Sequence, residues 1–141
     1  MRFVDTNVLL YAVSSHSEDA RKRLRARALL REGDLVISVQ VLQEFYHQAT
    51  RPTRIGRLSD SDAIAFLGTL LKFPVQDVTV AVFRDAVTIS RRFRLSYWDG
   101  AILAAAQVAG CSAVYSEDLS SEQDYDGLRV IDPFQEEPNA R

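Results

Sequence analysis

Apolar residues recur along this chain in short runs that alternate with longer segments of helical spacing. Short runs typical of buried strands occur at residues 2–4, 35–37, 75–78, 113–115 and 128–131. Segments with helical spacing begin just after residue 5 and then occur at residues 15–31, 38–49, 59–71, 79–93 and 96–109. Because strands alternate with helices over short connections, the pattern predicts an α/β fold with a mostly parallel sheet covered by helices on both faces.

Several helix ends carry residues that favour starting or stopping a helix. Ser15, Ser38, Ser59 and Ser96 each precede a helical segment, where a hydroxyl oxygen accepts a hydrogen bond from a free N–H group of the first turn. Gly110 follows the last helical segment and is expected to end it. These residues predict the starts of four helices and the end of one.

The chain has 141 residues, a length that suits one compact domain. We expect that domain at residues 1–134, followed by a short acidic tail at residues 135–141. No apolar run approaches the ~18 residues of a membrane span, and Asp5 lies where a signal peptide needs apolar residues, so we expect a cytoplasmic protein. Cys111 is the single cysteine, which excludes an internal disulfide and a cysteine zinc cluster.

Charge is distributed unevenly around a net value of −2. Residues 116–141 contain eight acidic and two basic residues, a balance of −6, so residues 1–115 carry +4. Segment 15–31 has an apolar face of Ala20, Leu24 and Ala28 and basic residues at positions 21, 22, 23, 25 and 27 on its other faces. Loop 51–57 has three arginines and no acid. Phosphate binding and plain solvent exposure both fit these arginines.

Three acidic residues lie where an α/β sheet gathers its ligands, and a fourth lies within a helix. Asp5 follows the first strand, Asp118 follows strand 113–115, and Asp99 lies in the first turn of the helix that starts after Ser96. Glu44 lies on a partly apolar helix face, where a carboxylate needs compensation. Turn chemistry for Asp5, a capping box for Asp99 and a solvated surface for Asp118 are the structural alternatives.

The chemical type of these residues indicates a metal site. Clustered carboxylates stay ionised when a cation neutralises them, and oxygen ligands suit the hard ions Mg²⁺ and Mn²⁺. Such ions activate water and stabilise the leaving oxygen in phosphodiester hydrolysis. The four acids therefore favour a metal-dependent nuclease.

Four segments, in order, resemble the acidic motifs of PIN-domain nucleases, and more narrowly those of VapC-type toxins from bacterial toxin–antitoxin modules. They are residues 3–11 (FVDTNVLLY), 41–46 (VLQEFY), 95–106 (LSYWDGAILAAA) and 115–119 (YSEDL). The likeness extends from residue 3 to about residue 134. It implies a three-layer α/β/α sandwich, Mg²⁺- or Mn²⁺-dependent endoribonuclease activity, a homodimer and a cognate antitoxin that blocks the active site.

The resemblance also assigns roles to individual positions. Asp5, Glu44 and Asp99 match the three core metal-binding acids of the family, and Asp118 matches a more variable fourth. Glu117 stands beside Asp118, and the sequence does not decide which of the two side chains turns inward. Polar residues that orient water or an acid in the family correspond to Thr6, Asn7 and Ser116.

The resulting hypothesis is an endoribonuclease in which the four acids bind one or two divalent ions and metal-activated water attacks an RNA phosphodiester. Arginines of segment 21–31 or loop 51–57 would hold the RNA backbone or contact an antitoxin. One alternative is a PIN-type RNA-processing nuclease that is not a toxin. Another is a non-enzymatic metal-binding or phospho-acceptor module, although neither lysine, Lys22 or Lys72, follows a late strand as phospho-acceptor domains require.

Overall fold

The computed structural model describes residues 1–121 and 123–135, and the strands in this part of the chain form one sheet. The strand order is β3-β2-β1-β4-β6-β5, and every neighbouring pair is parallel except β5 and β6. The strands are β1 (Arg2–Val4), β2 (Leu35–Ser38), β3 (Val75–Gln76), β4 (Ala113–Tyr115), β5 (Asp124–Tyr125) and β6 (Leu128–Ile131).

Helices connect these strands. They are α1 (Thr6–Ala12), a short 3₁₀ helix (Ser17–Asp19), α2 (Ala20–Arg31), α3 (Val39–Thr50), α4 (Asp60–Leu70), α5 (Val80–Phe93) and α6 (Tyr97–Val108). The predicted α/β class with a mostly parallel central sheet is confirmed. No helix in the described residues is long and apolar enough to span a membrane. The division into a domain at 1–134 and a tail at 135–141 stays a prediction, and residues 136–141 lie outside the described part.

The central strands place two polar segments side by side. Phe3, Val36 and Val114 are fully or almost fully buried, as expected for parallel strands covered on both faces. β1 pairs with β4 in a register that sets Val4 opposite Tyr115, and the Asp5 N–H continues it by donating to the Tyr115 carbonyl at 3.0 Å. Residues 5 and 116 therefore leave the sheet together at its carboxyl edge.

Three of the four predicted serine caps are present. The hydroxyl oxygens of Ser38, Ser59 and Ser96 each accept a hydrogen bond from the N–H group three residues later, at 3.1 to 3.3 Å. Ser15 is not a cap, so that prediction is wrong. The chain first makes a 3₁₀ turn, whose N-cap is His16, and its Nδ1 accepts from the Glu18 N–H.

The apolar face predicted for α2 is also wrong. Leu24 is 67% exposed and Ala28 is exposed, whereas Ala26, Leu29 and Leu30 are buried. The two consecutive leucines bury more apolar surface than Ala20 and Ala28 can, and they turn this face of α2 toward the core.

The sequence patterns missed β5, an edge strand of two residues. Its turn to β6 uses Asp126 and Gly127, both with positive φ (56° and 91°), which is the backbone of a tight hairpin. The Asp-Gly pair was the available signal for this hairpin.

Candidate active site

Asp5 is the most buried of the four predicted acids, with 5% of its surface exposed. One carboxylate oxygen, Oδ1, accepts from the Thr6 N–H at 2.7 Å, and Oδ2 accepts from Ser116 Oγ at 2.8 Å. The pKa of Asp5 is raised from 3.8 to about 7, mainly by burial. The two hydrogen bonds lower this pKa in part, and the charges of Glu44 and Asp118 raise it. Asp5 therefore holds a carboxyl group whose ionised form needs a compensating charge.

Glu44 lies in the second turn of α3 and is half-buried. Its Oε2 accepts from Thr6 Oγ1 at 2.7 Å, and its Oε1 accepts from Gln40 Nε2 at 2.8 Å. Thr6 therefore links two of the acids, because its N–H bonds to Asp5 while its hydroxyl bonds to Glu44.

The loop after β4 separates Glu117 from Asp118. Glu117 accepts hydrogen bonds from Lys22 Nζ at 2.7 Å and from the Tyr11 hydroxyl at 2.9 Å. Asp118 Oδ2 instead accepts from Asn7 Nδ2 at 3.2 Å. Asp118 is the member of this pair that faces the other acids.

Asn7 joins this loop to α1. Its Nδ2 lies within 3.3 Å of Asp5 Oδ2, Ser116 Oγ and Asp118 Oδ2, and its Oδ1 accepts from the Glu117 N–H at 3.1 Å. An amide nitrogen has two hydrogens, so it satisfies two of these three acceptors at a time. Asn7 thus holds two carboxylates and the loop between them.

Asp99 is half-buried in the first turn of α6, where its N–H donates to Ser96 Oγ. Burial raises the pKa of Asp99, and hydrogen bonding with Ser96 lowers it in part. The charges of Asp118 and Glu44 raise this pKa further. These charge couplings show that Asp99 lies in the same acidic environment as the acids of the loop and of α3.

A groove of about 640 Å³ opens over these residues, and we call it the acid groove. It is lined by Thr6, Asn7, Leu10, Gln40, Gln43, Glu44, His47, Gln48, Trp98 and Asp118. Asp5 and Ser116 lie buried behind Asn7, to which both are bonded. Asp99 is not part of the lining, although it directly follows Trp98.

The donors of this site suit a hard divalent cation. All four acids offer oxygen, and mutual repulsion contributes to the raised pKa values of Asp5 and Asp99, which a bound cation would relieve. The ligand geometry is not assembled, since no three His, Cys, Asp or Glu side chains among residues 1–121 and 123–135 lie close enough together to bind one ion. Protein donors such as Thr6, Asn7 and Gln40 hold the carboxylates instead.

The PIN domain family model matches residues 2–122 of this chain, which include all four acids. The chain belongs to the PIN domain family. PIN nucleases generally use divalent metal ions, which agrees with the oxygen donors of the acid groove.

Solved structures share the fold of this PIN domain. One is the sarcin–ricin loop-cleaving toxin VapC20 of Mycobacterium tuberculosis, with 22% identity, coverage of 84% of this chain and 90% of that one, and a TM-score of 0.66. Another is a toxin–antitoxin complex from Klebsiella pneumoniae, with 18% identity, coverage of 94% and 98%, and a TM-score of 0.71. A third is DNA-bound VapBC from Salmonella typhimurium, with 18% identity, coverage of 92% and 96%, and a TM-score of 0.65. No curated protein sequence matches the chain.

Two residues of this PIN domain were not singled out from the sequence. Gln40 Nε2 lies 2.8 Å from Glu44 Oε1 and 3.2 Å from the Trp98 carbonyl, so it connects α3 to the start of α6. Its position four residues before Glu44 on a helix was the available signal. Trp98 lines the acid groove, and its only sequence signal was its place directly before Asp99.

Proposed function

We propose that this PIN domain is a Mg²⁺- or Mn²⁺-dependent endoribonuclease that serves as the toxin of a toxin–antitoxin module in the cytoplasm. The observation that carries the proposal is the linkage of Asp5, Glu44 and Asp118, from three separate elements, by Thr6 and Asn7 beside the acid groove. Resemblance to VapC-type toxins and structural likeness to toxin–antitoxin complexes support the toxin role.

Asp5, Glu44, Asp99 and Asp118 would hold the cation. A bound divalent ion would supply a Lewis acid that activates water and stabilises the leaving oxygen. Thr6 and Gln40 orient the two oxygens of Glu44. Asn7 and Ser116 orient Asp5 and the loop that carries Asp118.

We assign contact with the RNA backbone to arginines of loop 51–57 rather than to those of α2. Four α2 arginines donate to backbone carbonyls of this chain. These arginines are Arg21, Arg23, Arg25 and Arg27. Arg51 and Arg57 are exposed, and a guanidinium grips a phosphate with two parallel hydrogen bonds.

An antitoxin and a second copy of the chain are the proposed protein partners. α5 exposes Val80 (67%) and Phe83 (49%), and large apolar side chains grouped on one helix are typical of protein interfaces. Two of the structures that share this fold are toxin–antitoxin assemblies, which supports an antitoxin for this protein.

Cleavage of total and transfer RNA by the purified protein tests the proposal. Parent, Asp5→Asn and Asp99→Asn are compared in Mg²⁺, Mn²⁺ and EDTA, with the cut sites mapped by end sequencing. Asp85→Asn, an exposed acid on α5 outside the acid groove, is the matched control. We expect metal-dependent cuts at a few discrete sites in the parent and the control. In Asp5→Asn and Asp99→Asn the cleavage rate should fall by about a hundredfold or more.

A second measurement separates metal binding from activity. Mn²⁺ should raise the Tm of the parent and of Asp85→Asn, and raise that of Asp99→Asn much less. Cleavage by the parent in EDTA would contradict the proposal, and so would unchanged cleavage by both Asp5→Asn and Asp99→Asn. Growth arrest on expression distinguishes a toxin from an RNA-processing nuclease of the same family.

A further inference from the structure

Outside its acids, the acid groove offers hydrogen-bonding groups of the amide and imidazole type. Its lining contains the amides of Gln40, Gln43 and Gln48, the His47 imidazole and the apolar Leu10, and no arginine or lysine of residues 1–121 and 123–135 belongs to it. Phosphates are bound most strongly by charge-assisted hydrogen bonds from guanidinium and ammonium groups, although amide side chains also contact them. Unpaired nucleobases are bound by stacking on aromatic rings and by polar groups at their edges. The lining therefore matches a base better than a phosphate.

Trp98 supplies an aromatic surface in this groove. It is 63% exposed, although it is the largest side chain in the lining. The ring is supported by an edge contact with Tyr97 at 5.0 Å between centroids, and the Trp98 carbonyl accepts from Gln40 Nε2 at 3.2 Å. The indole is therefore anchored through its backbone and its neighbour while most of its surface faces solvent.

One face of α3 lies along the same groove. Residues 40, 43, 44, 47 and 48 recur at helical spacing, so the amides and the imidazole lie in a row that passes Glu44. A base stacked on Trp98 would present its edge to this row, and the phosphate attached to it would lie toward the acids.

We propose that the acid groove binds an unpaired nucleobase next to the scissile phosphate, with Trp98 as its stacking surface and Gln43, His47 and Gln48 at its edge. The inference rests on the proposed endoribonuclease function and adds a base-binding subsite to it. Only an unpaired base can use this subsite, because a paired base is already stacked within its helix. Trp98 is then a substrate-binding residue, and the α3 side chains select among bases.

Intrinsic fluorescence tests this directly, because Trp98 is the single tryptophan of the chain. The full-length parent is titrated in EDTA with single-stranded RNA hexamers and with a hexamer that carries an abasic site at each position in turn. We expect saturable quenching by intact hexamers and its loss with an abasic site at one position. Equal quenching by every abasic hexamer, or RNA binding without quenching, would overturn the inference.

Steady-state cleavage of the same hexamers in Mn²⁺ gives an independent readout. Trp98→Ala should raise KM by about tenfold or more, whereas Trp98→Phe, which keeps an aromatic face, should restore most of the affinity. Leu71→Ala removes a comparably exposed apolar side chain (62%) outside the groove and serves as the control.

The outcomes separate the two proposals. A parent that cleaves hexamers while Trp98→Ala has an unchanged KM overturns the base-binding site and leaves the nuclease standing. A parent that cleaves no RNA in any metal overturns the nuclease, and the fluorescence titration still decides whether Trp98 binds a base. The third outcome is a Trp98 fluorescence that changes with protein concentration and does not change when RNA is added. It would show that a second copy of the chain covers Trp98, which also overturns the inference.

Discussion

Glu117 and Asp118 are adjacent in the chain, and their carboxylates bind to different parts of the molecule. Glu117 forms an ion pair with Lys22 at 2.7 Å, whereas Asp118 accepts from Asn7 at the edge of the acid groove. The Glu117 N–H also donates to Asn7 Oδ1, so the backbone between the two acids is held from the groove side. Glu117 therefore fastens the loop, and Asp118 is the carboxylate presented to the groove.

This division predicts different effects of neutralising the two acids. Asp118→Asn should lower cleavage by about tenfold or more with little change in Tm, because Asp118 is exposed and adds charge to the site. Glu117→Gln should lower the free energy of unfolding by about 1–2 kcal/mol, since its ion pair is partly buried and also bonds to Tyr11. Asp126→Asn, which breaks an exposed ion pair with Arg92, is the control and should change stability by less than about 0.5 kcal/mol. Equal losses of cleavage activity in Asp118→Asn and Glu117→Gln would contradict these separate roles.

The buried carboxyl of Asp5 predicts a pH dependence of stability. Its pKa is raised from 3.8 to about 7, so between these values the folded state binds a proton that the unfolded state has lost. Stability of the metal-free protein should therefore fall as the pH rises from about 4 to about 7, by at most about 4 kcal/mol from this group, and then level off.

Asp5→Asn removes that titration. In EDTA, denaturant unfolding at about pH 5 and about pH 8 should show the variant gaining stability relative to the parent as the pH rises. Asp85→Asn, an exposed acid outside the groove, should follow the parent. A parent-minus-variant difference that is the same at both pH values would show that Asp5 titrates normally.

Two helical glycines predict opposite responses to alanine. A Cβ at Gly100 would lie 2.7 Å from the Ala86 carbonyl oxygen, because α5 and α6 approach closely next to Asp99. Gly100→Ala should therefore destabilise by about 1–3 kcal/mol and lower cleavage as Asp99 shifts. A Cβ at Gly68, an exposed position of α4, would have no other atom within 4 Å. Gly68→Ala should therefore raise the free energy of unfolding by about 0.5–1 kcal/mol. Thermal unfolding of both variants checks the pair, and a neutral Gly100→Ala would refute the close helix approach.

The two groups of arginines predict different dependences on salt. Replacing Arg51 or Arg57 with alanine should weaken RNA binding and lower the slope of log affinity against log salt by about 0.7 for each phosphate that is no longer neutralised. Arg23→Ala and Arg27→Ala remove hydrogen bonds to the Ser14 and Ala12 carbonyls, so they should lower Tm and leave that slope unchanged. Filter binding over a salt series measures the slope, and a reduced slope in the α2 variants would reverse the assignment.

Local features of this protein were readable from the sequence alone. The apolar runs, the caps at Ser38, Ser59 and Ser96 and the position of Asp5 at a strand end depend on residues within a few positions of one another. They determined the α/β class and the order of most elements. They also placed Asp5, Asp99 and Asp118 at strand or helix ends and Glu44 within a helix.

Tertiary structure decided the relationships between distant segments. The register of β1 against β4 brings Ser116 to Asp5 across 111 residues, and a single hydrogen bond joins Gln40 at the start of α3 to the Trp98 carbonyl across 58. Tertiary packing also determined the buried face of α2, the binding of its arginines to backbone carbonyls and the separation of Asp118 from Glu117. Side-chain direction in a loop and the burial of a helix face depend on what packs against them, and neighbouring residues in the chain do not carry that information.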